Sequence, residues 1–271
     1  ALFGVSVSQI NLLIDTMIAS TLIAGSVSWL YYSDRLLELP LALIGIALAT
    51  VALAKLSHYY AKNNVKEFTN TINKALLYAL LLGLPSCVGL VMLSEELIVT
   101  LFQYQEFDQY AAKQSSSSLK AYGAGLMAFI AIKILAPIFL SRGDTKTPVK
   151  AGIVAMVSNI FLNVILGYYY GHVGLASATS ISALLNAAFL YYYLRKQSIF
   201  ILNNEFFKML FKVIFASIIM ALYVYFTSTN IENYLQSMAI DRIVMISKTI
   251  IISVLIYFSS LYLMGIRINR I

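Results

Sequence analysis

The chain has 271 residues, of which 60% are hydrophobic and only 11% are charged, and its mean hydropathy is +0.81. Because a soluble domain carries about 25% charged residues, this composition excludes a soluble enzyme or binding module and indicates a polytopic membrane protein. The net charge of +7 is explained by basic loops, so no nucleic-acid partner is expected, and a single cysteine excludes a disulfide framework within the chain.

Eight apolar segments are long enough to cross a membrane, since a transmembrane helix needs about 20 apolar residues. They cover 1–22, 27–54, 69–93, 117–140, 148–169, 174–194, 206–227 and 242–265. The sequence therefore predicts an all-α membrane protein with about eight transmembrane helices.

Local signals refine this segmentation. Gly171 and Gly174 predict a tight turn between the fifth and sixth segments. Thr147 is expected to cap the fifth segment, with Pro148 at its first helical position. The stretch 94–103 is too short to span, and the spacing of its apolar residues favours an amphipathic turn at the membrane surface.

The loops between the segments alternate in charge, which predicts their orientation. Basic loops face the cytoplasm, and the loops after the second, fourth and sixth segments and the C-terminal end are basic, whereas the other loops are acidic or nearly uncharged. We therefore expect both ends of this chain on the cytoplasmic side. The basic residues of these loops and of the C-terminal end are Lys55, Lys62, Lys66, Lys74, Arg142, Lys146, Lys150, Arg195, Lys196, Lys208, Lys212, Arg267 and Arg270.

A charged cluster interrupts the second segment. It consists of Asp34, Arg35 and Glu38 and is followed by Pro40, which is expected to bend the helix or to free the carbonyl of Leu36. A charged residue at a helix centre costs about 2.5–3.5 kcal/mol on insertion scales, so we favour a water-filled or ligand-filled cavity. The alternative is the solvated start of a helix. Arg35 and Glu38 are spaced to pair, and a guanidinium group suits recognition of phosphate.

Other polar residues lie at membrane depth. Asp15 is near the middle of the first segment, Asn159 and Asn163 share one face of the fifth, and Thr179 lies in the sixth. A carboxylate with amide and hydroxyl oxygens is the ligand set that a hard cation prefers. The alternative is that these groups hydrogen-bond between helices without any ligand.

Two more residues, Gln9 in the first segment and Lys133 in the fourth, complete the candidate substrate-binding set. Lys133 is either a cation of the cavity or a side chain that reaches toward the membrane surface. The sequence contains no Ser-His-Asp, Cys-His or HExxH arrangement and no glycine-rich phosphate loop. We therefore expect a protein that is not an enzyme and has no catalytic residues.

Two stretches, Gly25–Thr50 with the charged cluster and the run Ser-Arg-Gly-Asp-Thr-Lys-Thr-Pro at 141–148, resemble the MurJ (MviN) family. These are bacterial lipid II flippases of the multidrug/oligosaccharidyl-lipid/polysaccharide exporter superfamily, with two six-helix lobes and a final helix pair. The resemblance implies that residues 1–196 form the C-terminal six-helix lobe and residues 197–271 the terminal pair. It also implies that the chain is a fragment, or the product of a split gene, whose partner is the missing N-terminal six-helix lobe.

The resemblance further implies roles for individual residues. Arg35 matches a cavity arginine that contacts the lipid-linked pyrophosphate, and Glu38 matches a nearby carboxylate; Asp34 adjoins them. A sodium ion is held in some members at positions that match Asp15, Asn159, Asn163, Thr179 and the carbonyl of Leu175. Some members have an aspartate where this chain has Asn163, which leaves one negative charge fewer here. No other cofactor is implied.

The function implied by the resemblance is transport of undecaprenyl-pyrophosphate-linked disaccharide-pentapeptide, lipid II, across the bacterial cytoplasmic (inner) membrane by alternating access. The last two segments match a helix pair with a lipid-facing groove for the undecaprenyl tail, so membrane lipids are expected partners. Two alternatives stay open: a related exporter of another substrate, such as a drug/cation antiporter or a polysaccharide-lipid flippase, and an inactive fragment.

Overall fold

The computed structural model describes residues 2–200, 202, 204–228 and 231–266. This part of the chain forms helices joined by short connections. The elements are α1 (Leu2–Ser20), α2 (Ser26–Pro40), a π-helical segment (Leu41–Ile46), α3 (Ala47–Ala61), α4 (Val65–Met92), α5 (Ser94–Phe102), α6 (Gln109–Leu140), α7 (Lys146–Lys196), α8 (Asn204–Thr227), α9 (Ile231–Gln236) and α10 (Ala239–Leu263).

Within the described ranges, six helices are long and apolar enough to cross a membrane. One of them runs without interruption from Ser26 to Ala61, and the others are α4, α6, α7, α8 and α10. The 51-residue α7 reverses at Gly171 and supplies two of the predicted segments, and the 19-residue α1 matches the first. Each of the eight predicted segments thus lies on a helix, and the all-α class is confirmed.

The reversal of α7 depends on its glycines. Gly171 adopts φ 57° and ψ −138°, in the positive-φ region that glycine tolerates best. A Cβ atom on Gly174 would lie 2.0 Å from the carbonyl oxygen of Leu166. No larger residue therefore fits at this point, where the two arms approach each other closely. The tight turn predicted from these glycines is confirmed, and it places the arms 146–170 and 172–196 side by side.

Pro40 produces the irregularity that was expected in the second segment. Because proline has no N–H, the carbonyl of Leu36 loses its usual helical partner, and the next six residues adopt the wider π-helical turn. Such turns inside α-helices are rare and occur often at functional sites. Gly45 is buried in this segment, and a Cβ atom there would lie 3.5 Å from Cγ of Lys133 on α6.

The start of α7 differs from the prediction. The helix begins at Lys146, and its first amides are capped by Asp144, whose Oδ1 accepts from the N–H groups of Lys146 and Thr147, both at 3.0 Å. Thr147 donates its hydroxyl to the same carboxylate at 2.6 Å, so Thr147 is not the cap. Burial raises the pKa of Asp144, but the bonds from Thr147 and Lys146 and the nearby Arg142 outweigh it and hold the pKa below its usual value.

The stretch 94–103 forms a helix, α5, where a turn was expected, and it packs one face into the bundle; its expected place at the membrane surface stays a prediction. The buried residues are Ser94, Glu96, Ile98, Val99 and Thr100. Arg242 on α10 explains this position. Its guanidinium donates to the carbonyls of Val99 and Gln103 at the end of α5, at 3.4 and 3.5 Å, and to that of Leu235 in α9 at 3.0 Å.

The buried apolar residues form two clusters. The larger one joins α2, α3, α4, α6 and α7 and also includes residues of α1, α5, α9 and α10. The smaller one joins α8 and the later part of α10 to one face of α4. Tyr257 on α10 is 1% exposed and donates to the carbonyl of Leu81 on α4 at 2.7 Å. The division into domains at residues 196 and 197 stays a prediction.

Candidate functional site

The residues expected to hold a cation converge in the structure. Nδ2 of Asn163 donates to Oδ1 of Asp15 at 2.5 Å and to Oδ1 of Asn159 at 3.1 Å. The hydroxyl of Thr179 lies 3.4 Å from Oδ2 of Asp15 and 3.0 Å from the carbonyl oxygen of Leu175. Exchanging oxygen and nitrogen in the Asn159 amide gives it a bond to Asp15 at 3.2 Å. In either orientation, Asn159 belongs to this polar cluster.

The hairpin of α7 assembles this cluster. Asn159 and Asn163 lie on the first arm and Thr179 on the second, and the turn at Gly171 brings them together. Asp15 is contributed by α1, which packs against α7. The polar cluster therefore links three helical segments that are distant in sequence.

The chemistry of the polar cluster fits a small cation. Asn159 and Asn163 are 1% and 0% exposed, and Oδ1 of Asn163 is buried without a hydrogen-bond partner in the described part of the chain. An unsatisfied buried acceptor costs about 1–3 kcal/mol, and a cation would relieve this cost. Each of the five residues has an oxygen of the kind that hard cations prefer, and the single carboxylate of Asp15 matches one positive charge. In this structure Nδ2 of Asn163, rather than its oxygen, faces Asp15.

The charged cluster on α2 forms an ion pair, which confirms the predicted pairing. Nη1 of Arg35 lies 2.6 Å from Oε2 of Glu38, and the two side chains are 47% and 51% exposed. Cζ of Arg35 also lies 4.9 Å from the ring centroid of Tyr31. The guanidinium is thus held on two sides and still exposes donors that an anion could reach.

Of the remaining candidates, only Asp34 lies beside this ion pair. Asp34 is half-buried, and its charge interacts with those of Glu38 and Arg35. Gln9 is exposed on α1, and Lys133 is exposed on α6 with its stem beside Gly45. Neither Gln9 nor Lys133 makes a hydrogen bond or ion pair with the charged cluster in the ranges that the structure describes, so their roles stay predictions.

An apolar cavity of about 410 Å³ is lined in part by Leu36, Leu39 and Pro40, which neighbour Arg35 and Glu38 in the sequence. Its walls come from α2, the π-helical segment, α4, α5, α8 and α10. Two serine hydroxyls interrupt a lining that is otherwise nearly all apolar. The lining includes Leu36, Leu39, Pro40, Leu82, Pro85, Leu90, Leu97, Met220, Val224, Val254 and Phe258. Residues of α8 and α10 are among those that line this cavity, and its role as a groove for a lipid tail stays a prediction.

Sequence reasoning missed several buried polar residues, and two of them make bonds between distant elements. His172, at the α7 turn, contacts Ser118 through Nδ1 at 2.7 Å and Gln114 through Nε2 at 3.0 Å. The other is Arg242, which is 8% exposed. Each had a signal in the sequence: a histidine directly after the turn glycine, and an arginine at the start of an apolar segment.

The comparisons with known proteins decide the family. The family model described as Lipid II flippase MurJ matches residues 1–245. The chain belongs to the MurJ family. The resemblance drawn from the two sequence stretches is therefore confirmed.

Two relatives show the extent of the match. A probable lipid II flippase MurJ of Vibrio cholerae is 44% identical over 269 residues, which cover 99% of this chain and 51% of that protein. The lipid II flippase MurJ of Burkholderia cenocepacia is 34% identical over 268 residues, covering 98% and 52%. The chain spans about half the length of the MurJ relatives it matches.

Solved structures agree with the family assignment. A lipid II flippase MurJ in an inward closed conformation matches with a TM-score of 0.79 and 29% identity, over 95% of this chain and 51% of that one. A MOP superfamily transporter from Pyrococcus furiosus matches with a TM-score of 0.62 and 20% identity, over 83% and 51%, and shows the fold alone. The chain is a multi-pass membrane protein with the MurJ fold.

Proposed function

We propose that this chain forms the C-terminal lobe and terminal helix pair of a lipid II flippase in the bacterial inner membrane. The observation that carries the proposal is a half-exposed guanidinium, Arg35, on the same helix turn as Leu36 and Leu39, which line the apolar cavity. Lipid II combines a pyrophosphate with a long hydrocarbon tail, and it requires both kinds of surface. The protein is a transporter, and no covalent chemistry is involved.

Arg35 would bind the pyrophosphate. Charge-assisted hydrogen bonds from a guanidinium to phosphate oxygens replace the hydration that the substrate loses when it leaves the membrane surface. Glu38 and Tyr31 hold the guanidinium in place, so little side-chain freedom is lost when the substrate binds. Asp34, Gln9 and Lys133 are proposed to complete the substrate-binding surface.

The apolar cavity would hold part of the undecaprenyl tail. Burial of hydrocarbon is favourable by about 0.8 kcal/mol for each CH₂ group. Residues of α4, α8 and α10 line the cavity, so the terminal pair would guide the tail while Arg35 holds the headgroup. Membrane lipids would fill the same space when lipid II is absent.

Asp15, Asn159, Asn163, Thr179 and the carbonyl of Leu175 would hold a sodium ion. The orphaned oxygen of Asn163 supports this assignment. A bound ion would supply a positive charge that balances the carboxylate of Asp15. The side chains themselves tie α1 to both arms of α7, so they would fix the orientation of these helices.

A complete transport pathway needs a second lobe, and the chain spans about half of its relatives. We propose that an N-terminal six-helix lobe completes the cavity and that the two lobes alternate in access to the two sides, with both ends of this chain cytoplasmic. An exporter of organic cations is not favoured, because the Glu38 carboxylate that could bind such a substrate is paired with the guanidinium of Arg35.

The test is to express the intact natural protein in cells depleted of their own lipid II flippase. Restored growth together with restored appearance of lipid II in the outer leaflet is the expected result. Expression in the membrane without either recovery would contradict the proposal. A related transporter that does not move lipid II serves as the control for membrane expression.

A further inference from the structure

A second, polar cavity of about 240 Å³ lies at the end of the bundle where α3, α6 and α7 end and α4 begins. Its wall includes Tyr59, Asn63, Thr69, Arg142 and Ser198. It shares no lining residue with the apolar cavity. The loops at this end are the basic ones, which predicts that the cavity opens to the cytoplasmic surface of the membrane.

Hydrogen-bond donors dominate the wall of the polar cavity. Arg142 donates from Nη1 to Oε1 of Gln197 at 3.2 Å, and its other N–H groups make no hydrogen bond in the part of the chain that the structure describes. In that same part, the hydroxyls of Tyr59, Thr69 and Ser198 also make none. A wall of this kind is suited to accept an anion.

The carboxylates near the polar cavity do not accept hydrogen bonds from the donors that line it. No aspartate or glutamate lines the wall. The oxygens of Asp144 already accept three bonds from Lys146 and Thr147. The carboxylate of Glu67 lies 3.5 Å from the Asn70 amide. The guanidinium of Arg142 is therefore not neutralised by an ion pair in the described residues.

The electrostatic balance at this rim is positive. Three of the four helix ends are C-termini, and each is equivalent to about half a negative charge. These ends and the carboxylates of Glu67 and Asp144 disfavour binding of an anion. Five basic residues on the same loops and adjoining helix turns outweigh them. They are Lys62, Lys66, Arg142, Arg195 and Lys196.

We propose that the polar cavity binds a phosphate group at the membrane surface, either inorganic phosphate or the headgroup of an acidic phospholipid. Pockets for drug-sized ligands have volumes of about 300–1,000 Å³, so this smaller cavity matches a headgroup-sized anion. The guanidinium of Arg142 provides two-pronged recognition of phosphate oxygens, and the hydroxyls of Tyr59 and Thr69 provide further donors. The bound phosphate joins four helix ends at one point.

The experiment measures the melting temperature of the intact natural protein in detergent, with two probes. One is sodium phosphate, compared with sodium chloride at equal sodium concentration and ionic strength. The other is phosphatidylglycerol in mixed micelles, compared with phosphatidylcholine. The expected result is a saturable rise in melting temperature with one or both probes. A rise with both identifies the phosphate group itself as the ligand, a rise with phosphatidylglycerol alone identifies the lipid headgroup, and a rise with phosphate alone identifies the free ion.

Variants make the assignment specific. Arg142→Gln is expected to weaken binding of the active probe by about tenfold or more, since bonds to charged groups are the strong ones. Lys150→Gln removes the same charge from an exposed position on α7 and should leave the affinity unchanged. Tyr59→Phe and Thr69→Val keep the shape of the wall and should each weaken binding by about threefold to tenfold. No response to either probe, or equal losses in Arg142→Gln and Lys150→Gln, would overturn the proposal.

Discussion

Asn163 donates a hydrogen bond to the carboxylate of Asp15 over 2.5 Å, although the two residues are 148 positions apart in the chain. This bond connects α1 to the first arm of α7, and Thr179 extends the connection to the second arm. Three helical segments that are distant in the sequence are therefore connected by one polar cluster.

The proposed sodium site predicts a sodium-dependent stability. Sodium should raise the melting temperature of the intact protein more than potassium does, and Asp15→Ala should abolish this difference, because the carboxylate supplies the only negative charge among the proposed ligands. Binding to the folded state alone contributes about 2.7 kcal/mol at a ligand concentration of 100 Kd. An unmutated protein that responds equally to sodium and potassium would rule the site out.

The hairpin predicts that Gly174 cannot be enlarged. Gly174→Ala places Cβ 2.0 Å from the carbonyl oxygen of Leu166, and the backbone must separate, at a cost of about 1–3 kcal/mol or more. Gly89→Ala is the matched control, since its Cβ would meet nothing within 4 Å. Thermal unfolding of the two variants checks this prediction, and equal stabilities would contradict the close approach of the arms.

The cap at the start of α7 predicts a loss of stability in acid. The folded-state pKa of Asp144 lies below its ordinary value of about 3.9, so its contribution is present above that value and is lost as pH falls through the lowered folded-state pKa. At neutral pH, Asp144→Ala should cost about 1 kcal/mol as a lost N-cap. Melting curves should show this difference at pH 7 and not in strong acid. A difference independent of pH would show that the charge is irrelevant.

The charge pattern of the loops predicts the orientation of the bundle. In a background without native cysteines, including Cys87→Ser, we expect Glu106→Cys to react with a membrane-impermeant thiol reagent in intact cells and Lys62→Cys to react only after lysis. Both positions are exposed, so burial does not decide the outcome. Labelling of Lys62→Cys in intact cells would reverse the orientation.

Local features of the sequence predicted local features of the structure. The spacing of Arg35 and Glu38 was enough to predict their ion pair, and the paired glycines predicted the reversal of α7, because both depend on neighbours within a few residues. The cap of α7 was assigned to the wrong residue. Asp144 caps the helix instead, because its carboxylate accepts from the amides of both Lys146 and Thr147.

Long-range features depended on more than the local pattern. Arg242 donates to the carbonyl of Val99 in α5 although the two residues are 143 positions apart, and an amphipathic pattern alone could not show that another helix covers α5. The convergence of Asp15 with Asn159 and Asn163 was expected from the resemblance to a family. The spacing of these residues along the chain did not decide between a cation site and hydrogen bonds between helices without a ligand. It could not show that α1 packs against α7.

The most direct test of the central claim is lipid II translocation by the intact protein carrying changes at Arg35. In flippase-depleted cells at matched expression, the accessibility of lipid II to an added lipid II-cleaving enzyme reports its arrival in the outer leaflet. Arg35→Ala should lower translocation by about tenfold or more, because bonds between a guanidinium and phosphate are lost. Arg35→Lys should be impaired less, because it keeps the charge without the planar fork.

Two further variants complete this measurement. Glu38→Ala should be milder than Arg35→Ala, because it removes only a group that positions the guanidinium, and Lys74→Ala, at an exposed position on α4, should translocate lipid II normally. The account predicts this order of activities. Translocation by Arg35→Ala at the rate of the unmutated protein would contradict the role of Arg35 in binding the lipid-linked pyrophosphate.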